Sequence, residues 1–225
     1  MPENIRIDRI GVSAARITLD RPSKRNALSV ALRDEVTEAL AVLARDETLK
    51  CAVVTGAGDV FSAGFDLSEF RSAAGDAELS RTLWESSDRF HHALLSFPLP
   101  LIAAVNGPAL AGGFDVAVCC DVRIATEAAR FAHPEFAFGD VVYSPLHELV
   151  GGAVARDLCL TGRALDAREA LALGLVSEVV RRDALDEAVG RVTKRIDGAP
   201  RDRLLRTKAK AIARAGITAR ATLDL

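Results

Sequence analysis

Glycine and an acid recur together at two places in this 225-residue chain: Gly64 is followed by Asp66, and Gly112-Gly113 by Asp115. Each pair lies past a short apolar run, so each reads as a strand end opening into a small-residue loop. Glycine there lets a ligand approach the backbone closely, and free N–H groups at a helix mouth favour developing negative charge. Two N–H groups from separate loops are the makings of an oxyanion hole, and a nearby acid can carry a proton. Either glycine alone is also explained by turn geometry. The pair, in this order, points to a site that handles an oxyanion and a proton.

A third piece is Phe131-Ala132-His133-Pro134-Glu135-Phe136-Ala137-Phe138-Gly139, in which Glu135 is the one acid of an aromatic, apolar neighbourhood. Burial would raise its pKa and make it a usable proton carrier near neutral pH. A cap on the following turn, or a partner for an arginine, is the structural alternative. Cys51, Cys119, Cys120 and Cys159 lie in apolar segments without metal-ligand spacing, and the adjacent Cys119-Cys120 suits neither a standard disulfide nor a zinc site. Buried free thiols and no metal are expected.

The elements that must position these groups follow from the apolar pattern. Residues 4–10 and 13–20 alternate as a β-hairpin around Gly11, and 21–26 form a polar turn. Ser29 caps an amphipathic helix carrying Val30, Leu32, Val36, Leu40 and Leu43. A strand at 51–55 precedes the first glycine loop, 71–77 reads as flexible surface, and 78–97 is a helix with Leu79, Leu83, Phe90, Leu94 and Phe97 on one face. A strand at 101–105, the glycine-entered helix at 112–120 and a strand at 122–126 follow. Helices are expected at 146–160 and 167–173 around Gly162, a strand at 176–180, and helices at 183–197 and 201–214. Strands alternating with helices predict an α/β core with largely parallel strands, residues 1–182, and a C-terminal helical region, 183–225.

The bulk properties narrow the function. Apolar residues are 49% and charged residues 27%, ordinary for a globular protein, and the formal charge of −2 argues against general nucleic-acid binding. The basic residues from Arg201 to Arg214 read as a solvated helix face, with an anionic ligand as the sharper alternative. No apolar stretch is long enough for a membrane span and the N-terminus has no signal-like h-region, so a cytoplasmic protein without membrane partners is expected.

Together Arg21-Pro22 through Asn26-Ala27-Leu28, the Phe61–Leu67 segment, Asn106-Gly107 with Gly112-Gly113, and Pro134-Glu135 resemble the crotonase (enoyl-CoA hydratase/isomerase) superfamily. Leu160-Thr161-Gly162-Arg163 and 167–176 extend the resemblance, which covers most of the chain in order. It implies repeated ββα units, homotrimers or dimers of trimers, and an acyl-CoA substrate of the kind met in fatty acid metabolism. Coenzyme A enters as part of the substrate and no separate cofactor is implied. The backbone N–H groups of Phe65 and Gly112 align with the family's oxyanion hole, and the two proton-handling acids fall on Asp115 and Glu135. Ala63, Asp66, Leu67 and Gly113 fall in the substrate-lining segments, and Lys24 and Arg25 in the loop that passes the CoA phosphates.

Three departures bear on the chemistry. Hydratases of this type carry Glu where this chain has Asp115, about 1.5 Å shorter in reach; Asp115 is thus either a catalytic acid or a helix-terminus residue. After Glu135, a Pro-Gly-rich run is replaced by residues 140–148, making Tyr143 and His147 new candidate pocket groups. The C-terminal helical region is shorter than usual, so the adenine end of the ligand is expected to be more exposed or covered differently. The expected reaction is 2-enoyl-CoA hydration. The alternatives are 3-enoyl-CoA isomerisation with Glu135 as the single base, and a weakly active acyl-CoA-binding subunit.

Overall fold

The computed structural model describes residues 2–137, 139–217 and 221–225. Its centre is a six-stranded sheet in the order β1 (Ile5–Ile10), β2 (Ala14–Leu19), β3 (Cys51–Gly56), β4 (Leu101–Val105), β6 (Val122–Thr126), β9 (Glu178–Val180). β1 and β2 pair antiparallel through the Gly11 turn, and every later neighbour is parallel. A smaller three-stranded sheet holds β5 (Ala109–Leu110), β7 (Arg130–Ala132) and β8 (Leu165–Asp166).

β3 and β4 are buried on both faces, which is why they read as continuous apolar runs rather than alternating ones. Ala52, Val54, Leu101, Ala103 and Val105 face one core. That side is covered by α1 (Val30–Arg45), α3 (Ala77–Ser96), α4 (Gly112–Cys119) and α5 (Ser144–Thr161). Cys51, Val53, Ile102 and Ala104 face a second core closed by Leu185, Ala188 and Val189 of α7 (Leu185–Asp197). The C-terminal helical region therefore contributes to the sheet's packing.

The sequence reading of the elements holds with local differences. Ser29 Oγ accepts from the Leu32 N–H at 3.3 Å and starts α1, as its cap position implies. Residues 71–73 finish a short helix, α2 (Leu67–Ala73), where flexible surface was expected. Leu79 is exposed, because α3 turns its first two turns away from the core. Gly151 breaks α5 with φ 76° and ψ 163°, a kink that its apolar pattern conceals.

The basic helix α8 (Arg201–Ala215) is not wholly solvated. Lys208 is buried against Asp121, and Arg201 donates to the Leu49 carbonyl at 2.9 Å. Long basic side chains here anchor the helix to the body of the protein while their neighbours stay in water.

Candidate active site

The two glycine–acid junctions lie side by side because the loops after β3 and β4 are zipped together. The Phe61 N–H donates to the Pro108 carbonyl and the Leu110 N–H to the Ser62 carbonyl, both at 3.0 Å. Two buried asparagines hold the first loop in shape. Asn26 Nδ2 donates to the carbonyls of Ala57 and Val60 at 2.8 and 2.7 Å. Asn106 Nδ2 donates to the Gly58 carbonyl at 2.9 Å, and its Oδ1 accepts from the Gly56 N–H at 3.1 Å. Ser62 Oγ donates to the Asn26 carbonyl at 2.9 Å. In the sequence alone these residues stand only as turn or segment markers. A polar side chain held between apolar runs was the available sign of their bracing role.

Close approach explains the glycines. A Cβ on Gly64, whose φ is +90°, would lie 2.6 Å from the Ala111 methyl and 3.1 Å from the Gly112 nitrogen. One on Gly113 would collide with the Ser62 carbonyl, so this glycine, expected to touch substrate, is required first for packing. Ala111 enters α4 with φ 50° and ψ −131°, a backbone state costing on the order of 1–3 kcal/mol in a non-glycine residue. Its N–H donates to the Ala132 carbonyl at 2.9 Å, which ties the strained residue to β7. Among the described residues, neither the Phe65 N–H nor the Gly112 N–H meets an acceptor. Two such donors, fixed before any charge develops, suit an oxyanion.

Arg33 braces Phe65 from behind. Its guanidinium is fully buried, lies 4.7 Å from the Phe65 ring centroid, and donates to the carbonyls of Leu28 and Leu83 at 2.8 and 3.1 Å. Burial lowers its pKa to about 10, so it stays charged at neutral pH. The sequence reading missed Arg33, because an arginine among the apolar positions of an amphipathic helix is normally read as flank. Asp66 is also engaged structurally. It caps α2 through the Ser68 N–H at 3.1 Å and pairs with Arg21 at 3.1 Å. The hydrogen bonds from Ser68 hold its carboxyl below the usual range, with Arg21 adding to the effect.

Asp115 and Glu135 converge on one histidine. Asp115, in the first turn of α4, is buried, and Glu135 sits in the single turn Pro134–Ala137 after β7. His133 Nδ1 lies 3.1 Å from Glu135 Oε1 and 3.6 Å from Asp115 Oδ1. A second buried histidine, His91 of α3, places Nε2 3.8 Å from Asp115 Oδ2. Its Nδ1 is 2.9 Å from the Ser87 carbonyl, which can only accept, so His91 Nδ1 carries the hydrogen. Within the described residues, Asp115 Oδ1, Glu135 Oε2, His91 Nε2 and His133 Nε2 are buried without a hydrogen-bond partner. Unmet polar atoms concentrated at one point mark a place built to receive something.

Burial disfavours the charged form of the His133 imidazole. The Glu135 hydrogen bond and the charge of Asp115 oppose that effect and prevail, leaving its pKa above the ordinary 6.5. The neighbourhood of Glu135 is thus less apolar than its sequence context implied, since a histidine reaches its carboxyl. Phe138, part of that context, lies outside the described residues. The ligand atoms of Asp115, His133 and Glu135 also fall within 4.8 Å of one another, a spacing that a metal ion could bridge. A ligating histidine ordinarily anchors its other ring nitrogen on an outer partner, and His133 Nε2 has none among the described residues. The 3.1 Å contact is instead accounted for by a shared proton.

Lys24 and Arg25 are exposed in the turn before α1, and neither side chain is tied into an ion pair among the described residues. The Arg25 carbonyl accepts from the Ala63 N–H at 3.0 Å, so this cationic turn runs beside the Phe65 loop. Leu67 is largely exposed at the start of α2. Tyr143 and His147, with ring centroids 5.5 Å apart, line a cavity of about 380 Å³ shared with Ala215, Ile217 and Asp224. The lining of that cavity includes neither Asp115, His133 nor Glu135.

Comparison with known proteins places nearly the whole chain among related sequences and folds. The sequence profile described as Enoyl-CoA hydratase/isomerase matches residues 9–222. The 2,3-dehydroadipyl-CoA hydratase of Escherichia coli is 37% identical over 171 residues, covering 74% of this chain and 66% of that protein. Across other relatives the match spans 61–71% of their length. An enoyl-CoA hydratase structure from Bacillus anthracis superimposes with a TM-score of 0.88 at 29% identity, covering 96% of this chain and 85% of that one. A monofunctional enoyl CoA isomerase structure from M. smegmatis gives 0.81 at 30% identity, covering 96% and 95%.

Proposed function

The chain belongs to the enoyl-CoA hydratase/isomerase family, and on that premise we propose that it hydrates 2-enoyl-CoA thioesters through an enolate held by the Phe65 and Gly112 N–H groups. One observation carries this reading: two acids from separate elements, Asp115 and Glu135, meet at His133 beside the unpaired N–H that opens α4. The thioester oxygen accepts from the two N–H groups, which lowers the cost of placing charge on it as Cβ is attacked. Asp115 and Glu135 together hold the attacking water. Its hydroxyl goes to Cβ, and its proton passes through Glu135 to Cα, so the elements of water are added without any other reactant. Lys24 and Arg25, without ion pairs among the described residues and beside the Phe65 loop, supply charge for the CoA phosphates. A homotrimer or a pair of trimers is the assembly this reading carries with it.

A second reading is favoured by one feature of Asp115. Its carboxylate is the more deeply buried of the two and lies 3.6 Å from His133 Nδ1, farther than the 3.1 Å at which Glu135 meets the same nitrogen. Glu135 alone could move a proton between the α- and γ-carbons, which is isomerisation of a 3-enoyl-CoA. Parallel assays of crotonyl-CoA hydration and 3-enoyl-CoA isomerisation decide between the two. Hydration as the faster reaction supports the proposal, and isomerisation without measurable hydration replaces it with the second reading.

A further inference from the structure

We propose that His133 is a positioning residue of this site: its Nδ1–H holds Glu135 by one carboxylate oxygen, Oε1, and leaves Oε2 as the oxygen that moves protons. The kinetic consequences rest on the hydration reading; the clamp itself joins two side chains, His133 and Glu135.

The geometry assigns the atoms. His133 Nδ1 is 3.1 Å from Glu135 Oε1, while Glu135 Oε2 is buried and unpartnered among the described residues. A neutral imidazole protonated only at Nε2 would turn a lone pair on two carboxylates and leave a buried N–H with no acceptor. Both faults vanish when the hydrogen sits on Nδ1. The ring cannot swing freely to another arrangement, because it is fully buried and packs on Phe114 with centroids 4.7 Å apart. Pro134 follows directly, fixing the backbone that joins the histidine to Glu135. A carboxylate held by one oxygen on a rigid ring loses the rotational freedom that would otherwise blur the aim of its second oxygen.

The charges around the ring decide how the clamp responds to pH. Asp115 faces it from α4 and Glu135 from its own turn. His91 of α3 stands behind Asp115, and the buried thiols of Cys119 and Cys159 lie near these acids from α4 and α5. A cation between two carboxylates is favoured, and a raised imidazole pKa accords with that placement. The stabilisation that this charge contributes is fully present below the ordinary 6.5 and is lost as pH rises through the raised folded-state value. The Nδ1–H survives that loss, but the charge holding both acids does not.

The test has two arms. In the first, the protein is labelled with ¹⁵N-histidine and its four histidines are titrated by NMR, with His133→Gln assigning the resonance. His133 is expected to carry its hydrogen on Nδ1 and to titrate above 6.5, and Glu135→Gln is expected to lower that midpoint. A midpoint at or below 6.5, or one indifferent to Glu135→Gln, overturns the proposal. The second arm measures crotonyl-CoA hydration against pH. His133→Gln should lower kcat by about 10–100-fold, leave KM within about threefold, and remove the alkaline limb of the wild-type profile. Wild-type kcat and an unchanged limb in His133→Gln overturn the proposal as well. If the wild-type protein hydrates no enoyl-CoA, the hydration reading falls, and the NMR arm still judges the clamp.

Discussion

Gly64 and Ala111 approach each other so closely that a methyl group on Gly64 would stand 2.6 Å from the Ala111 Cβ. This contact joins two loops that are about fifty residues apart in sequence, and it places the Phe65 N–H beside the Gly112 N–H. One of the pair is a glycine at positive φ and the other an alanine held in a strained state. Both conformations sit beside the Phe65 and Gly112 N–H groups, the donor pair proposed for the thioester oxygen, and strain held at such a place has a use.

Gly64→Ala should therefore damage catalysis more than binding. The new Cβ meets Ala111 at a φ that disfavours side chains, so the loops must part and the donors lose their alignment. Loss of one oxyanion donor lowers kcat by about 10²–10³-fold. Steady-state hydration kinetics check the rate. Infrared difference spectra of bound enoyl-CoA should show the thioester carbonyl stretch shifted to lower frequency by the wild type and less so by the variant.

Asp115→Glu, which inserts the residue usual in the family's hydratases, should not improve this enzyme. Asp115 is buried with His91 at 3.8 Å on one carboxylate oxygen and His133 at 3.6 Å on the other, so one more methylene pushes the carboxylate into these rings. Overpacking of this kind costs about 1–3 kcal/mol. Urea denaturation of the two proteins measures it. A variant as stable as wild type and faster in hydration would show that Asp115 is merely too short.

Arg33→Met should destabilise the fold without touching a reacting atom. The Leu28 and Leu83 carbonyls would each lose a hydrogen bond from a buried charged donor, at about 1.5–3 kcal/mol for a bond of that kind. The lost brace behind Phe65 should also raise the hydration barrier. Denaturation midpoints and kcat, measured on the same preparation, report the two effects separately.

The four thiols should be inert in the native state. Burial pushes Cys51 and Cys120 up to about 12 and Cys159 up to about 11, and raises Cys119 well above its usual value. At pH 8 the thiolate, which is the reactive form, is scarce and shielded. A thiol reagent should label none of them until the protein is unfolded, and rapid labelling of the folded protein would contradict this burial pattern.

Much of this site was legible in the chain because its parts are local. Glycine before acid marked both junctions, and an acid among aromatics marked Glu135. The cap at Ser29 and the short apolar strands at 51–55 and 101–105 were equally plain from pattern. What escaped was long-range. His133 lies inside the quoted Glu135 segment, but only the fold brings Asp115 to it, and His91 comes from a different helix. Arg33 hid on an amphipathic helix because a buried guanidinium depends on carbonyls supplied by other elements. Tyr143 and His147 were drawn toward the acyl pocket by their place after Glu135. The start of α5 instead turns them to a separate cavity beside the C-terminal segment.

The central claim is that Glu135 carries the proton in enoyl-CoA hydration, and one comparison tests it most directly. Crotonyl-CoA hydration by wild type and Glu135→Gln is followed by loss of the conjugated-enoyl absorbance, with calorimetric binding of the same ester measured on both. Glu135→Gln is expected to bind the ester with near wild-type affinity and to hydrate it about 10²–10⁴-fold more slowly. Hydration at the wild-type rate by Glu135→Gln would contradict the central claim.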